Sequence, residues 1–132
     1  RMQLPGGRSL HYCRPKIEQV RTPWGAIRET LTYEGMNDKN QWVRIPTQGG
    51  KLVENADQAI ARDLLANGLA LARRRGIQIR LHVHDQIVGM VREENGEKAL
   101  KLLIECMSTP PKWAPDMPLG AEGSISKMFV KD

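Results

Sequence analysis

Residues 51 to 91 read KLVENADQAIARDLLANGLALARRRGIQIRLHVHDQIVGMV, and this stretch decides the fold. Its first part, residues 51–75, repeats apolar side chains at the spacing of an amphipathic helix: Val53, Ala56, Ile60, Leu64 and Leu71. Three arginines, residues 73–75, end this pattern and Gly76 follows. Basic residues suit the negative end of the helix dipole and glycine is a common C-terminal cap, so we expect the helix to stop there.

After Gly76 the spacing of the apolar residues changes from the helical period of about 3.6 residues to a period of two, which is typical of a strand. Four apolar residues then alternate with polar ones: Ile77, Ile79, Leu81 and Val83. His84-Asp85-Gln86 interrupts the alternation, and residues 87–91 form a second apolar run. Alternation is the signature of a half-buried strand, so the sequence predicts a β-hairpin with Asp85 at its tip.

The flanking segments predict smaller elements of the same kinds. Residues 2–12 indicate a short hairpin around Pro5-Gly6-Gly7, after which Pro15 is expected to interrupt regular structure. Residues 27–33 and 41–45 are expected to pair across a turn at 35–40. On the C-terminal side we expect a second helix through Ala99, Leu102, Leu103 and Cys106, a proline-rich irregular segment at 110–118, and a short edge strand at 121–130. The predicted fold is therefore α+β, a single domain over residues 1–132 in which antiparallel hairpins pack against one long and one shorter helix.

Composition narrows the class of protein. The chain has 132 residues, of which 40% are hydrophobic and 27% charged, so it can form a core and disorder of the whole chain is not expected. No run approaches the roughly 18 apolar residues of a membrane span, so no membrane partner is expected. The chain has 20 Lys and Arg residues and 15 Asp and Glu residues, and the resulting net charge of +5 weakly favours a polyanionic partner. Two distant cysteines indicate neither a disulfide framework nor a zinc ribbon, and favour a reducing cytoplasm.

Three interpretations of the hairpin tip remain open on the residues alone. His82, His84 and Asp85 can be ordinary polar residues of a strand and its turn. His82 and His84 share one strand face and could bind a metal, although His11 is the only other histidine available as a ligand. Alternatively Asp85 could hold Mg²⁺ against a phosphate, because this cation keeps most of its waters and accepts one or two carboxylates.

Longer runs of sequence favour the third interpretation. They are residues 4–8 (LPGGR), 31–36 (LTYEGM), 42–44 (WVR), 47–55 (TQGGKLVEN), 58–63 (QAIARD), 81–88 (LHVHDQIV) and 113–123 (WAPDMPLGAEG). In this order they closely resemble the C-terminal palm region of family A DNA polymerases, in particular the phage branch of the bacterial polymerase I type. The resemblance covers nearly the whole chain.

The resemblance implies roles for five residues. Asp85 matches the motif C aspartate, one of two carboxylates that hold the catalytic pair of Mg²⁺ ions in the family. His84 matches the histidine beside the primer terminus. Lys51 and Glu54 lie where the long helix faces the minor groove of the primer-template, and Gln86, counted among the DNA-binding residues, replaces the acid usual in the family.

Two parts of the family's site do not match anything in this sequence. They are motif A, which supplies the second metal carboxylate, and the fingers helix, whose Arg and Lys bind the nucleoside triphosphate. We therefore expect a part of a DNA-directed DNA polymerase that is inactive alone. The partners implied are primer-template DNA, deoxynucleoside triphosphates bound through the missing fingers, and the rest of the polymerase, in the cytoplasm of the bacterial host of a phage or prophage.

Two alternatives stay open at this point. One is a non-catalytic DNA-binding remnant of a phage polymerase, because Gln86 and Gln48 depart from the family pattern. The other is a small metal-dependent hydrolase that uses His82, His84 and Asp85. Elsewhere we expect the three tryptophans, residues 24, 42 and 113, to pack in the core or at its edge, and Cys13 and Cys106 to be buried.

Overall fold

A computed structural model describes residues 1–128 of the chain. It divides into two compact units, the first from Arg1 to Ile60 and the second from Ala61 onward. Each unit is described by itself. The strands are β1 (Met2–Gln3), β2 (Ser9–Leu10), β3 (Cys13–Arg21), β4 (Ile27–Met36), β5 (Trp42–Thr47), β6 (Gln78–Val83) and β7 (Gln86–Met90). The helices are α1 (Gly49–Arg74) and α2 (Gly96–Met107), with a 3₁₀ turn at Glu93–Asn95. This content confirms the predicted α+β class.

The first unit opens with the predicted short hairpin. β1 and β2 pair antiparallel, and the Leu4 N–H donates to the carbonyl of Arg8 at 2.8 Å. Gly7 has a φ of +89°, a conformation that glycine adopts without steric cost. The Arg8 guanidinium donates to the carbonyl of Ala59 at 3.0 Å, so this hairpin is tied to the N-terminal half of α1.

The main sheet has three antiparallel strands in the order β3-β4-β5. The predicted β4–β5 hairpin is confirmed, but the expectation that Pro15 interrupts regular structure is wrong. Pro15 lies inside β3, where the register shifts between Cys13 and Lys16 and Arg14 has a φ of +44°. A bulge on an edge strand tolerates proline because no ladder hydrogen bond is lost there.

β3 and β4 continue beyond the third strand. β5 pairs only with residues 31–36 of β4, whereas β3 pairs with β4 as far as Arg21 opposite Ile27. Residues 18–30, which we call the ribbon, are therefore a two-stranded extension with which no other strand of residues 1–128 pairs. The ribbon ends in a turn where the N–H of Thr22 donates to the carbonyl of Ala26 at 2.7 Å.

One face of the sheet is held by polar contacts around Thr32, which is 2% exposed. Its hydroxyl lies 2.9 Å from Glu18 Oε2 and receives a hydrogen bond from Arg44 Nη1 at 3.2 Å. The same guanidinium donates through Nη2 to Glu34 Oε1 at 2.9 Å. Charged and hydroxyl groups thus hold the three strands together on this face, where the side chain of Thr32 is the most buried.

The second unit has a small hydrophobic core made by the end of α1, β6 and α2. Ala72, Ile77 and Cys106 are buried at its centre, packed by partly buried Leu71, Ile79, Leu102 and Leu103. Gly76, at a φ of +87°, ends α1, while the N–H of Gly76 donates to the carbonyl of Arg73 and that of Ile77 to Ala72. These two bonds define a Schellman cap, which confirms the predicted glycine stop.

The remaining expectations have mixed outcomes. The segment after α2 is irregular, as predicted, and residues 121–128 form no strand; residues 129 and 130 of the predicted edge strand lie outside the described part. Cys106 is buried but Cys13 is exposed, so the expectation for Cys13 is wrong. Trp24 is 75% exposed and Trp42 is 60% exposed, so the expectation that these two tryptophans pack is wrong as well. In residues 1–128 no helix combines the length and apolar character needed to span a bilayer.

Candidate functional site

The tip of the β6–β7 hairpin is a two-residue turn made of His84 and Asp85. The strands pair antiparallel, and the last pair of the ladder is Val83 opposite Gln86. The prediction of a hairpin with Asp85 at its tip is therefore confirmed. The side chains of His84, Asp85 and Gln86 are all exposed, so the hairpin presents them together to solvent.

The backbone at this tip is in an unusual conformation. His84 has a φ of +51°, in the left-handed region that few residues other than glycine occupy. A second irregularity lies nearby, where the ladder shifts register between Ile79 and Leu81 so that Arg80 has no partner opposite. Bulges and left-handed residues re-aim side chains, and both are enriched near functional sites. This hairpin therefore carries two such irregularities within five residues of sequence.

His82 faces α1 rather than the tip. Its Nδ1 lies 3.4 Å from Nη1 of Arg62, which is on α1. A guanidinium can only donate hydrogen bonds, so Nδ1 accepts and the ring proton lies on Nε2. Nε2 is therefore the ring nitrogen that His82 can offer to a ligand.

The contact between His82 and Arg62 weakens the hydrolase interpretation. Zinc needs three or four ligands, and residues 1–128 contain no group of three His, Cys, Asp or Glu side chains placed to hold a metal. One nitrogen of His82 is moreover paired with a cation. Magnesium makes different demands, because it keeps several waters and takes one or two carboxylates. Asp85 offers one exposed carboxylate of the kind that this cation binds.

Lys51 and Glu54 lie near the start of α1, in the first unit. Lys51 Nζ is 3.1 and 3.0 Å from the two carboxylate oxygens of Glu54, and Gln58 Nε2 is 3.4 Å from one of them. Both charged side chains are exposed. The structure thus brings together the predicted residues in two groups: Lys51 with Glu54 on the helix, and His84 with Asp85 and Gln86 on the hairpin.

Comparison with known proteins identifies a relative of this chain. Over 131 residues, or 99% of its length, the chain is 41% identical to a protein named DNA polymerase from Bacillus phage SP02. That alignment covers 19% of the phage protein. The chain is similar to part of a phage DNA polymerase.

Other comparisons add nothing to this relationship. No protein-family model matches the chain, and no solved structure matches it. The chain spans about one fifth of the length of the SP02 DNA polymerase. The similarity supports a relationship of this chain to part of a DNA polymerase.

Sequence reasoning missed two structural features near this tip. Arg62 contacts His82 across 20 positions of sequence, and the bulge at Arg80 has no signature in the alternating pattern. Local periodicity carries no information about either feature, because the first is a tertiary contact and the second is a defect in strand pairing. Neither the contact of Arg62 with His82 nor the bulge at Arg80 could have been predicted without the fold.

Proposed function

We propose that this chain is the C-terminal palm part of a family A DNA polymerase. In the intact enzyme it would contribute the motif C aspartate, Asp85, and the helix that binds the primer-template. The observation that carries the proposal is the 41% identity to a phage DNA polymerase along almost the whole chain. The exposed aspartate at a hairpin tip agrees with the role that the sequence resemblance implies.

In this proposal Asp85 supplies one of two carboxylates that hold a pair of Mg²⁺ ions. The bound ions supply the charge stabilisation needed for phosphoryl transfer from deoxynucleoside triphosphates. Asp85 needs no rearrangement for this role because its side chain is already exposed at the tip. His84, next to it in the same turn, would contact the primer terminus, and Gln86 would extend the DNA contact along β7.

The helix α1 would supply sequence-independent contacts to the primer-template. Lys51 and Glu54 are paired to each other and exposed, so Glu54 can orient Lys51 toward a phosphate of the primer-template, a contact that carries no sequence information. Contacts of this kind suit a polymerase, which must accept every template sequence.

The proposal implies that the chain does not polymerise alone. Asp85 is the one acidic residue in the β6–β7 hairpin, and one carboxylate does not fix two metal ions. The second carboxylate and the triphosphate-binding residues would come from the rest of the polymerase.

A chimera tests this proposal directly. The matching fifth of the SP02 DNA polymerase is replaced with this chain, and primer extension is measured with Mg²⁺ and all four deoxynucleoside triphosphates. We expect extension by the chimera, and a loss of about a thousandfold in the Asp85→Ala variant, because a metal ligand supplies several kcal/mol of transition-state stabilisation.

Asp38 provides the matched control, because it is also an exposed turn aspartate. Asp38→Ala should leave extension unchanged. Normal extension by the Asp85→Ala chimera would contradict the metal role of Asp85. It would favour instead the non-catalytic DNA-binding alternative, for which Asp85 has no chemical task.

A further inference from the structure

We propose that the tip of the ribbon, residues 21–28, binds single-stranded DNA, with Trp24 stacked on an unpaired base and Arg21 and Arg28 against the adjoining phosphates. DNA as the partner rests on the proposed function; the site itself rests on the geometry of the tip.

The tip presents Trp24 on a constrained turn. The N–H and the hydroxyl of Thr22 donate to the carbonyl of Ala26 at 2.7 and 3.1 Å, and the N–H of Ala26 donates to the Thr22 hydroxyl oxygen at 3.1 Å. The N–H of Gly25 donates to the carbonyl of Thr22 at 2.9 Å. Gly25 has a φ of +88°, which closes the turn without steric cost. The indole is thus held at the end of the ribbon. The four residues of β4 that precede its pairing with β5 make the ribbon project about 13 Å beyond β5.

The indole ring is available to a partner. Trp24 is 75% exposed and Ile27, beside it, is 67% exposed. Trp42 is a useful contrast, because it is 60% exposed but its indole N–H donates to Glu34 at 3.4 Å. Within residues 1–128, Trp24 makes no such bond. An exposed indole can stack on a nucleic-acid base, and it can do so on any base because all four have a flat aromatic face.

The charge around the indole favours a polyanion. Residues 19–28 contain two arginines, Arg21 and Arg28, and no carboxylate. Neither arginine forms an ion pair within the described part of the chain, although Arg14 and Arg44 on the same sheet both do. Of the flanking acids, Glu18 is engaged by Lys16 and Arg44, and Glu29 contacts neither arginine. The tip therefore carries two uncompensated positive charges.

The register places one charge on each side of the ribbon. Arg21 pairs opposite Ile27 and Arg28 pairs opposite Val20, so the two arginines belong to opposite faces. A strand of DNA that crosses the tip would meet one guanidinium on each side of the indole. A protein partner that covered Trp24 and Ile27 would instead have to desolvate both charges or provide two matching carboxylates.

Single-stranded rather than duplex DNA is the partner that this arrangement fits. In a duplex the faces of the bases are stacked on each other and cannot receive an indole, whereas an unpaired base can. We infer that the ribbon holds an unpaired stretch of template.

The test measures binding of the 132-residue chain to labelled oligodeoxythymidine by fluorescence anisotropy. Trp24→Ala should weaken binding about tenfold, the usual size of one base-stacking contact. Trp42→Ala, the matched control, should change binding less than twofold. Arg21→Gln and Arg28→Gln should each reduce the slope of log K against log salt by about 0.7.

The remaining variants make the result unambiguous. Trp24→Phe keeps an aromatic ring and should recover most of the affinity, and circular dichroism should show unchanged folding for each variant. Wild-type affinity in Trp24→Ala, or an equal loss for a duplex of the same length, would overturn the proposal. The chimera separates this result from the proposed function: Asp85→Ala should abolish extension but leave oligodeoxythymidine binding intact, whereas Trp24→Ala should weaken that binding and leave the metal site intact.

Discussion

At the scale of single residues, His84 connects backbone geometry with the proposed site. Its φ of +51° is costly for a side chain that has a Cβ, and Asp85 beside it has no positive φ. We predict that His84→Gly is more stable than His84→Ala by about 1 kcal/mol, because only glycine occupies this region freely.

The neighbouring position provides the control for this prediction. At Asp85 the order should reverse, with Asp85→Ala more stable than Asp85→Gly, because glycine there only adds entropy to the unfolded chain. Urea unfolding measures all four variants. Equal stability of the two His84 variants would contradict a left-handed conformation at this residue.

Thr47 provides a second prediction at this scale. The residue is 7% exposed, its hydroxyl has no hydrogen-bond partner among residues 1–128, and it lines a cavity of about 210 Å³ together with Leu31, Tyr33 and Leu52. An unpaired buried hydroxyl is costly, so Thr47→Val should raise the free energy of unfolding by about 1 kcal/mol.

Thr32 is the matched control for Thr47. It is also buried, at 2% exposed, but its hydroxyl contacts Glu18 and Arg44. Thr32→Val should therefore lower the free energy of unfolding by about 1 kcal/mol, because it removes the hydroxyl that bonds Glu18 and Arg44. Stabilisation by both valine substitutions would show that the hydroxyl of Thr32 contributes no net hydrogen bonding.

At the scale of elements, the close approach of α1 and α2 depends on Gly68. A Cβ added there would lie 3.3 Å from Cα of Met107 on α2, tighter than ordinary contact. Gly68→Val should lower the free energy of unfolding by about 1–3 kcal/mol through overpacking. Gly50→Val, in the same helix but with nothing within 4 Å of its Cβ position, should cause no such loss. Chemical denaturation of both variants distinguishes packing from helix propensity.

The polar face of the β3-β4-β5 sheet gives the fold a dependence on pH. Desolvation raises the pKa of Glu34, but the indole N–H of Trp42 and the guanidiniums of Arg14 and Arg44 outweigh it and lower this pKa below its ordinary value of 4.5. Hydrogen bonds from Lys16 and Thr32 likewise lower the pKa of Glu18. A carboxylate with a lowered pKa stabilises the fold at neutral pH and loses this contribution as the pH falls through its folded-state value.

Stability should therefore fall as the pH is lowered from 6 to 3, and part of this fall should disappear in Glu34→Gln. The double variant with Glu18→Gln should show a still smaller dependence. Urea unfolding at several pH values provides the measurement. A Glu34→Gln variant that loses stability as steeply as the wild type would contradict the lowered pKa of Glu34.

At the scale of the whole molecule, we predict binding without catalysis. The isolated chain should bind primer-template DNA, with an affinity that falls steeply as salt rises, because its net charge is +5. It should not extend a primer, because it offers one of the two carboxylates that the proposed chemistry needs. A primer-extension assay with the SP02 DNA polymerase as positive control checks this, and robust incorporation by the chain alone would contradict it.

Local sequence patterns were enough to predict the elements that carry the site. The long helix, its stop at Gly76 and the hairpin around Asp85 follow from periodicity and from the backbone freedom of glycine, which act over a few residues. The strand β3 was missed because Pro15 normally ends regular structure, and only its position at a bulge on an edge strand makes it compatible. The sequence likewise shows at Gly68 only a weak helix former, whereas its close contact with Met107 depends on how two helices pack.

The sequence by itself therefore determined the class of fold, the similarity to a polymerase and the turn that holds His84 and Asp85. The tertiary structure decided which side chains meet or remain without a partner. It brings Arg62 to His82 across 20 residues of sequence and leaves Trp24 exposed at the end of the ribbon. It also leaves the hydroxyl of Thr47 buried with no hydrogen bond to the described part of the chain. These features depend on contacts between distant segments, and the free energy of such contacts is set by packing and burial that no local pattern encodes.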